Sequence, residues 1–199
     1  MPSAPATKAS IIEQAARLFN QQGYAGTSMS DLMRATGLQK GGLYNHFRSK
    51  EELAIAAFDH LVQYLQQQSV RALRGKRHAL DRFMAVLSVH EQIWHEPLIQ
   101  GGCPILNTAS ESDDTQPVLR DRARQAMDTW RQFLHRILAK GIARGELPAT
   151  TDTEAVVTMA IATLEGAVML SKLYDDPAYL QRAIAQLRVY LSHHLTVPR

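Results

Sequence analysis

The chain has 199 residues, of which 45% are hydrophobic and 21% are charged, as in an ordinary soluble protein of one or two compact domains. Its single cysteine, Cys103, excludes an internal disulfide bond and suits a reducing compartment. Residues 1–7 lack the apolar run of a signal peptide, and the most apolar segment, 155–170, is interrupted by polar residues and too short to span a bilayer. We therefore expect a cytoplasmic protein with no membrane partner.

Positive charge is concentrated at the start of the chain. Residues 1–50 carry six Lys or Arg against two Asp or Glu, whereas the remainder is almost neutral. A basic end on a near-neutral body is typical of a protein that binds a polyanion through that end. A solvated surface with a chance imbalance would give the same totals, so charge alone leaves both interpretations open.

Three short helices are predicted within the basic segment. The first spans residues 10–22, with apolar residues at helical spacing and a glycine directly after it. Ser28 and Asp31 match the capping box of a second helix of about two turns. Gly37 permits a tight turn into a third helix, expected at about 39–46. Three helices with a Gly-containing turn between the second and third describe a helix-turn-helix domain.

The remainder of the chain is also predicted to be helical, which makes the fold class all-α. No strand alternation, internal repeat or low-complexity tract is present. Residues 97–116 are rich in Gly and Pro and are expected to form a loop with at most a short helix. Helix-start signals are Ser49 with Glu52, Thr151 with Glu154, and Asp176 before Pro177. The predicted helices span about 50–75, 78–96, 118–144, 154–174 and 177–195.

The pairs Gly23-Tyr24, Thr27-Ser28 and Gly37-Leu38, followed by the run from Lys40 to Leu53, resemble the TetR family of bacterial transcription regulators. Beyond this segment the resemblance is limited to helix number and length. It implies about nine helices, a homodimer, and repression that a small molecule usually relieves. It divides the chain into a DNA-binding domain at 1–50 and a helical effector-binding and dimerisation domain at 51–199.

The resemblance further implies which positions face double-stranded DNA. The positions that would contact phosphates are Thr27, Ser28, Tyr44, His46 and Lys50. The positions on the base-reading side are Lys40, Gly41 and Asn45. Lysine suits guanine O6/N7 and asparagine suits adenine N6/N7. Two such helices in a dimer would read a palindromic operator whose half-sites lie about 34–36 Å apart.

Two positions depart from the family pattern. Gln39 stands where the family often has serine, so either the third helix lacks a good cap or Gln39 reads a base itself. Gly42 stands where a hydroxyl or alanine is usual, so one side-chain phosphate contact is missing. Two adjacent glycines cost a helix about 1 kcal/mol each relative to alanine. This cost favours an interpretation in which the helix backbone approaches a phosphate closely. Considered individually, Tyr44 could be a core aromatic residue and His46 an ordinary surface histidine.

Cys103 is a candidate sensor. It lies in Gly-Gly-Cys-Pro-Ile-Leu-Asn, near an expected helix start that would lower the pKa of the thiol. The stretch resembles one branch of the TetR family, in which some regulators respond to electrophiles or oxidants. Lys172, on an otherwise apolar face, would stabilise a thiolate if its helix faced this loop. The alternative is a small buried cysteine and a lysine that extends to solvent.

A ligand pocket is predicted between the fourth and eighth helices. Its candidate lining combines aromatic side chains, methionines and one histidine: Tyr64, Met84, His90, Trp94, Met127, Trp130 and Met169. Each of these is also an ordinary core residue type, and we interpret His90 as a structural or pocket histidine and not as a metal ligand. The last two helices, with Ala160, Ala162, Gly166 and Ala167, are expected to form the dimer seam.

No phosphate loop, nucleophile elbow or paired-carboxylate motif is present, so the sequence predicts no enzyme, cofactor or metal site. Two other readings remain open. One is an all-α enzyme with Cys103 as nucleophile and His90 as its partner, which the basic segment disfavours. The other is a helix-turn-helix architectural protein that responds to no effector, which would leave the long C-terminal region without a purpose.

Overall fold

The computed structural model describes residues 8–112 and 116–195, and within these ranges the fold is all-α, as predicted. The first seven residues, in which a signal peptide was not expected, lie outside the described ranges. The described residues contain no strand; their helices are α1 Lys8–Gly26, α2 Met29–Thr36, α3 Lys40–Tyr44, α4 Lys50–Ala72, α5 Ala79–Leu87, α6 Val89–Gln92, a 3-10 helix Pro97–Ile99, α7 Pro104–Ser112, α8 Pro117–Ala143, α9 Thr153–Tyr174 and α10 Ala178–His194.

The local signals at the start of α2 give the predicted structure. The Ser28 hydroxyl accepts from the Asp31 backbone N–H at 3.1 Å, and the Asp31 carboxylate accepts from the Ser28 N–H at 2.9 Å. This capping box is therefore confirmed. At the other end, Gly37 adopts the left-handed conformation, with φ 69° and ψ 12°. Both ends of α2 are thus fixed by residues that are adjacent in the sequence.

Several predicted boundaries differ from the observed ones. α3 is shorter than predicted and ends at Tyr44, while the predicted fifth helix divides into α5 and α6 at Ser88. The cap of α9 is Asp152 and not Thr151: the Asp152 carboxylate accepts from Ala155 N–H at 3.0 Å. Thr151 lies one residue before this cap position, and its hydroxyl donates to the Pro148 carbonyl at 2.7 Å.

The chain forms two compact units, each of which is made of segments that pack mainly on one another. The first comprises the described parts of residues 1–64 and 95–124, and the second those of 65–94 and 125–199. The three N-terminal helices thus share a unit with the 3-10 helix and α7. The domain boundary at residue 50 that the sequence suggests remains a prediction.

Each unit has its own apolar core. In the first unit, α1 packs on α2, on α7 and on the 3-10 helix, around fully buried Ile11 and Leu32. In the second unit, α10 packs on α9 and α5, with Phe83, Leu164 and Leu180 completely buried. These contacts follow from apolar residues at helical spacing on each helix.

α9 is the one helix in the described ranges that is long and apolar enough to cross a membrane, judged by length and composition alone. It has 22 residues, so the sequence-based argument that the apolar segment is too short was wrong on length. The segment 155–170 is only part of the helix. Core helices pass the same test, and 44% of the most apolar window of α9 is buried within the structure.

Candidate functional site

The short helix α3 is oriented by apolar side chains on one side. Leu43 on α3 and Phe47 directly after it are buried, with 2% and 4% of their surface exposed. Leu32 of α2 is buried in the same unit, and α2 packs on α1 and on α3. Because one side of α3 faces this core, its opposite side is presented to solvent.

The solvent side of α3 and of the residues after it carries the predicted DNA-contacting groups. Tyr44 is 43% exposed, so it is not the core aromatic that its residue type alone would suggest. The Lys40 ammonium lies 5.9 Å from the centre of the Tyr44 ring, a cation–π distance. Asn45 and His46 are also exposed. Ammonium, phenol, carboxamide and imidazole groups together can bind phosphates and base edges.

The two glycines of α3 are not required by internal packing. A Cβ built on Gly41 would meet nothing within 4 Å, and one on Gly42 would make ordinary contact at 3.4 Å with the Leu38 side chain. Neither glycine has a positive φ. The structure of the chain alone therefore accepts alanine at both positions, and the helical cost of two glycines has no internal compensation.

Three further predicted contact residues have different environments. Gln39 occupies the N-cap of α3 and makes no side-chain cap hydrogen bond, in line with the expected weak cap. Ser28 is exposed at the start of α2, where its hydroxyl completes the capping box. Thr27 is fully buried, and its hydroxyl donates to the Gly23 carbonyl at 2.7 Å. Thr27 is therefore inaccessible to a ligand in this conformation, so its predicted contact is not supported by its burial.

Lys50 has a partner within the chain. Its ammonium donates to the backbone carbonyl of Tyr24 at 2.5 Å and lies 4.2 Å from the centre of the Tyr24 ring. Partial burial lowers the pKa of Lys50, and the nearby Glu111 carboxylate opposes this shift. The sequence argument assigned Lys50 to DNA phosphate, whereas the structure directs its ammonium to the end of α1.

α7 binds the same end of α1 through a carboxylate. Glu111 accepts hydrogen bonds from the backbone N–H groups of Tyr24 and Ala25, both at 2.8 Å. These groups follow Gly23, where φ 75° and ψ 170° interrupt the helix as predicted. A Cβ on Gly23 would lie 2.7 Å from both carboxylate oxygens of Glu111. Glycine at this position therefore permits both the backbone bend and the approach of the carboxylate.

Two asparagines make a second connection, which joins α1 to α7 and to the two glycines before α7. The Asn107 carboxamide donates to the Asn20 carbonyl, to the Asn20 side-chain oxygen and to the Gly101 carbonyl, at 2.9–3.2 Å. Asn20 in turn donates to the Gly102 carbonyl at 3.1 Å. A Cβ on Gly101 would lie 1.9 Å from the Asn20 carbonyl oxygen, so no other residue fits there. The sequence analysis did not identify Glu111, and nothing local in the sequence pairs these positions.

Cys103 and Lys172 lie in different units and different environments. Cys103, in the first unit, is buried with 1% of its surface exposed, whereas Lys172, in the second, is exposed. A reactive thiol is normally partly accessible. The pairing of this thiol with the Lys172 ammonium stays a prediction, as does the resemblance of the Gly-Cys stretch to one branch of a family.

The second unit contains a buried polar group at His90. Its ring lies against that of Trp130 in a tilted arrangement, with centroids 5.6 Å apart and planes at 32°, and neither ring nitrogen has a hydrogen-bond partner among the described residues. Burial lowers the pKa of His90 to about 4. A carboxylate oxygen of buried Glu165 lies within 4.8 Å of one ring nitrogen. Glu165 was missed as a site residue, although a lone acid in the apolar 155–170 segment was the signal for it.

The other predicted pocket residues are spread over both units. Met84 is completely buried in the second unit, where Trp94 and Met127 are half-buried. Tyr64 is half-buried in the first unit. Met169 is 53% exposed, so it does not line an enclosed cavity of the single chain. Of the candidates, His90 and Trp130 make direct contact.

The outer surfaces of α9 and α10 are unusually apolar. The large exposed side chains are Met169, Leu173 and Tyr174 on α9 and Val189 and Tyr190 on α10. On α9, Ala162 is exposed, and a Cβ on Gly166 would meet nothing within 4 Å. Ala162, Gly166, Met169 and Leu173 recur at intervals of three or four residues, which places them on one side of the helix. The other predicted seam residues, Ala160 and Ala167, are buried within the chain.

Comparison with known proteins gives a consistent result over most of the chain. Residues 11–57 match the family model "Bacterial regulatory proteins, tetR family", and residues 79–187 match "Tetracyclin repressor-like, C-terminal domain". A TetR transcriptional regulator from Chloroflexus aurantiacus is 43% identical, with a TM-score of 0.91 and 96% of each chain covered. One from Cytophaga hutchinsonii is 32% identical, with a TM-score of 0.85 and the same coverage. The regulator TtgR of Pseudomonas putida is 27% identical over 85% of this chain and 82% of its own.

Proposed function

This chain belongs to the TetR family of DNA-binding transcriptional regulators, and we propose that it represses its target genes until a small-molecule effector releases it from DNA. Its relatives are transcriptional regulators and not enzymes, so an enzyme with a Cys103 nucleophile is not favoured. A regulator of chromosomal genes works in the cytoplasm, which we propose as its location. No cofactor is needed for this activity.

The observation that best supports a DNA-reading role for α3 is its exposed row of hydrogen-bonding groups on a helix with two unconstrained glycines. Lys40 and Asn45 would read base edges, while Tyr44 and His46 would bind phosphates. Gly41 would let the helix backbone approach the DNA. Lys50 would act differently from the sequence-based expectation: bound to the Tyr24 carbonyl, it would position the end of α1.

The uncapped start of α3 and the start of α2 would supply further contacts. Gln39 makes no cap hydrogen bond, so its carboxamide is available to a base or phosphate. The exposed Ser28 hydroxyl would lie at a phosphate beside the start of α2. Buried Thr27 would support this position from inside, through its hydrogen bond to the Gly23 carbonyl. Gly42 would contribute through its backbone.

A homodimer is the proposed functional form. The exposed apolar side chains on α9 and α10 would be removed from water by the same surface of a second chain, as in an isologous interface. The absence of side-chain bulk at Ala162 and Gly166 would allow close helix approach. We therefore assign Met169 to this interface and not to the effector pocket. Two α3 helices related by the dimer axis would bind a palindromic operator.

The effector would bind in the second unit near His90. Its ring nitrogens, which are buried without partners, and the Glu165 carboxylate would hydrogen-bond to a polar group of an otherwise apolar molecule. Trp130 and Met84 would supply apolar contact, with Met127 and Trp94 as further lining from the same unit. Tyr64 belongs to the first unit and is not assigned to this site. Binding would favour a conformation with lower operator affinity.

Modification of Cys103 is the weaker route to release. An electrophile must reach the sulfur, and 1% exposure opposes this in the described conformation. If thiol chemistry released the protein, Cys103→Ser would abolish release by a quinone, and Lys172→Met would slow it. We expect both variants to be released normally by the natural effector.

A selection of bound fragments from the native genome tests the function directly. We expect a small set of palindromic fragments upstream of genes, and binding that weakens steeply as salt rises. Lys40→Ala with Asn45→Ala should abolish the preference for these fragments over random DNA, whereas Arg182→Ala on α10 should not. Equal affinity for random fragments, or a flat salt response, would overturn the proposal.

A further inference from the structure

A basic pocket lies in the second unit, between α5 and the C-terminal part of α8. It has a volume of about 360 Å³. Four cationic side chains and one carboxylate line it: Arg82, Arg136, Lys140, Arg144 and Glu146. Phe133 and Ile137 add an apolar part of the wall. None of these residues belongs to the proposed DNA-reading or effector sites.

The pocket wall is closely packed. A Cβ on Gly141 of α8 would lie 2.4 Å from the Ala79 Cβ of α5 and 2.9 Å from the Leu147 side chain, so only glycine allows the two helices to approach this closely. Glu146 accepts from the Ala79 backbone N–H at 2.7 Å, which fixes the start of α5 beside α8. The cations are therefore carried by a rigid wall.

The positive charges are poorly neutralised by the chain itself. Arg82, Arg136 and Lys140 have no carboxylate within 4 Å among the described residues, and Arg144 has only Glu146, at 3.8 Å. Glu146 is already hydrogen-bonded to α5. Arg136 and Lys140 lie four residues apart on one face of α8. Arg144, directly after the helix, continues this spacing, since its N–H donates to the Lys140 carbonyl at 3.2 Å. Like charges are therefore neighbours, which is unfavourable without an anion.

Two of the guanidinium groups are also oriented by the backbone. Arg82 donates to the Lys76 carbonyl at 3.1 Å through Nη1, and Arg136 donates to the Gln132 carbonyl at 3.3 Å through Nε. Each guanidinium has five N–H donors, so both retain several for a ligand. Arginine forks and a lysine ammonium are the groups that bind phosphate oxygens most effectively.

We propose that this pocket binds a small molecule carrying two or more phosphate groups. The volume lies within the range of about 300–1,000 Å³ that is typical of small-ligand pockets. The four cationic groups that line the pocket offer more N–H donors than one phosphate group can use. Adjacent phosphate groups, as in a diphosphate, triphosphate or bisphosphate, would engage several of these cations at once, whereas a single phosphate engages only part of the site. Phe133 and Ile137 would contact the organic part of the ligand.

Calorimetric titration of the full-length dimer with inorganic pyrophosphate, and separately with ATP, tests this site at about 0.1 M salt, where charges beyond about 10 Å are screened. We expect saturable binding of both, and binding of inorganic phosphate at least tenfold weaker. Arg136→Gln with Lys140→Gln should weaken pyrophosphate binding by at least about tenfold. Tighter binding of ATP than of pyrophosphate would identify a nucleotide as the natural class, and the reverse an inorganic polyphosphate.

The matched control removes two positive charges from α10, with Arg182→Gln and Arg188→Gln, and should leave pyrophosphate binding within about twofold of wild type, below what one charged hydrogen bond contributes. Equal affinity in all three proteins would overturn the proposal. A further outcome would also overturn it: unchanged pyrophosphate binding together with a smaller salt dependence of DNA binding in the pocket variant. That result would assign the cations to DNA phosphates.

Discussion

The Lys50 ammonium lies 2.5 Å from the backbone carbonyl oxygen of Tyr24 and 4.2 Å from the centre of its ring. The first turn of α4 is thereby joined to the end of α1, with the Glu111 carboxylate nearby. The contacts of Lys50 are thus those of a residue that holds α1 in place. Its charge and its position in the sequence would equally suit a direct contact with a DNA phosphate.

Replacement of Lys50 by Gln separates these two roles. We expect lower operator affinity because the end of α1 is less well positioned, but an unchanged slope of log K against log salt. A direct phosphate contact would reduce that slope by about 0.9. Tyr44→Phe is the comparison, since it removes a proposed phosphate contact without removing charge. If Lys50→Gln instead reduced the slope of log K against log salt, Lys50 would be a direct phosphate contact, as the sequence alone suggested.

Gly41→Ala should change stability and function in opposite directions. A Cβ at this position meets nothing within 4 Å, so alanine should raise the free energy of unfolding by up to about 1 kcal/mol. The same methyl group would obstruct close approach to DNA and weaken operator binding by about fivefold or more. Chemical denaturation and operator titration measure the two effects.

Gly42→Ala is the matched control for that experiment. Its Cβ would make ordinary contact with Leu38, and alanine is usual at this position in the family that the sequence resembles. We expect a similar gain in stability and little loss of operator affinity. Equal losses of affinity in Gly41→Ala and Gly42→Ala would argue against a special approach of the backbone at Gly41.

A double-mutant cycle between Gly23 and Glu111 measures the connection between α1 and α7. Gly23→Ala should destabilise the protein because φ is positive and its Cβ would lie 2.7 Å from the carboxylate oxygens. In the Glu111→Ala background that second penalty disappears, so the cost of Gly23→Ala should be smaller by about 1 kcal/mol or more. Gly37→Ala, with a positive φ and no neighbour within 4 Å, should show no such coupling to Glu111.

The buried His90 should make stability depend on pH. Its pKa is about 4 in the folded protein, below the ordinary value of 6.5, so the unfolded chain binds a proton that the folded chain does not. The free energy of unfolding should fall as pH decreases from about 6.5 to 4, by about 3 kcal/mol in total. His90→Gln should lack this component, and the other histidines cancel when the two proteins are compared.

The opposite pH dependence of stability would show that His90 carries a proton in the folded protein. If the pKa of His90 in the folded protein were above 6.5, the wild type would gain stability relative to His90→Gln on acidification, as expected for an ion pair with Glu165. Glu165→Gln would then remove that gain. Either outcome can be read from denaturation curves at pH 4.5, 6 and 7.5, values chosen to span the shift between the two pKa values.

The apolar surface of α9 and α10 predicts the oligomeric state. Leu173→Glu places a charge on a side chain that is 70% exposed in the single chain. We expect sedimentation to show a monomer, and operator affinity to fall because two half-sites can no longer be bound together. Val70→Glu, at a 60% exposed position on α4, should leave a dimer. A dimer in both variants would exclude this surface as the interface.

Local signals made much of the fold predictable from the sequence. The capping box of Ser28 and Asp31 and the glycine at the end of α2 depend on residues within one or two turns, and both were found as predicted. The cap of α9 was assigned to Thr151, whereas the helix begins at Thr153 and the adjacent Asp152 caps it. Both residue types can cap a helix, so adjacent candidates limit the accuracy of such predictions to one or two residues.

The support of the DNA-binding helices was not predictable in this way. Asn107 and Glu111 bind α1 across 86–87 residues of sequence, and neither residue type nor spacing indicates the partner. Lys50 was identified as important from its basic neighbourhood, but its partner Tyr24 lies 26 residues earlier. Hydrogen-bond partners of this kind are set by tertiary packing, which periodicity does not encode.

The hydrogen bonds from Asn107 and Glu111 to α1 also limit how this regulator can be recombined with others. A chimera that transfers only residues 1–50 would deprive Asn20 and the N–H groups of Tyr24 and Ala25 of their present partners. Grafting residues 97–112 together with that segment would retain them. New operator specificity is therefore better engineered by substitutions on the exposed side of α3 than by exchange of the whole N-terminal segment.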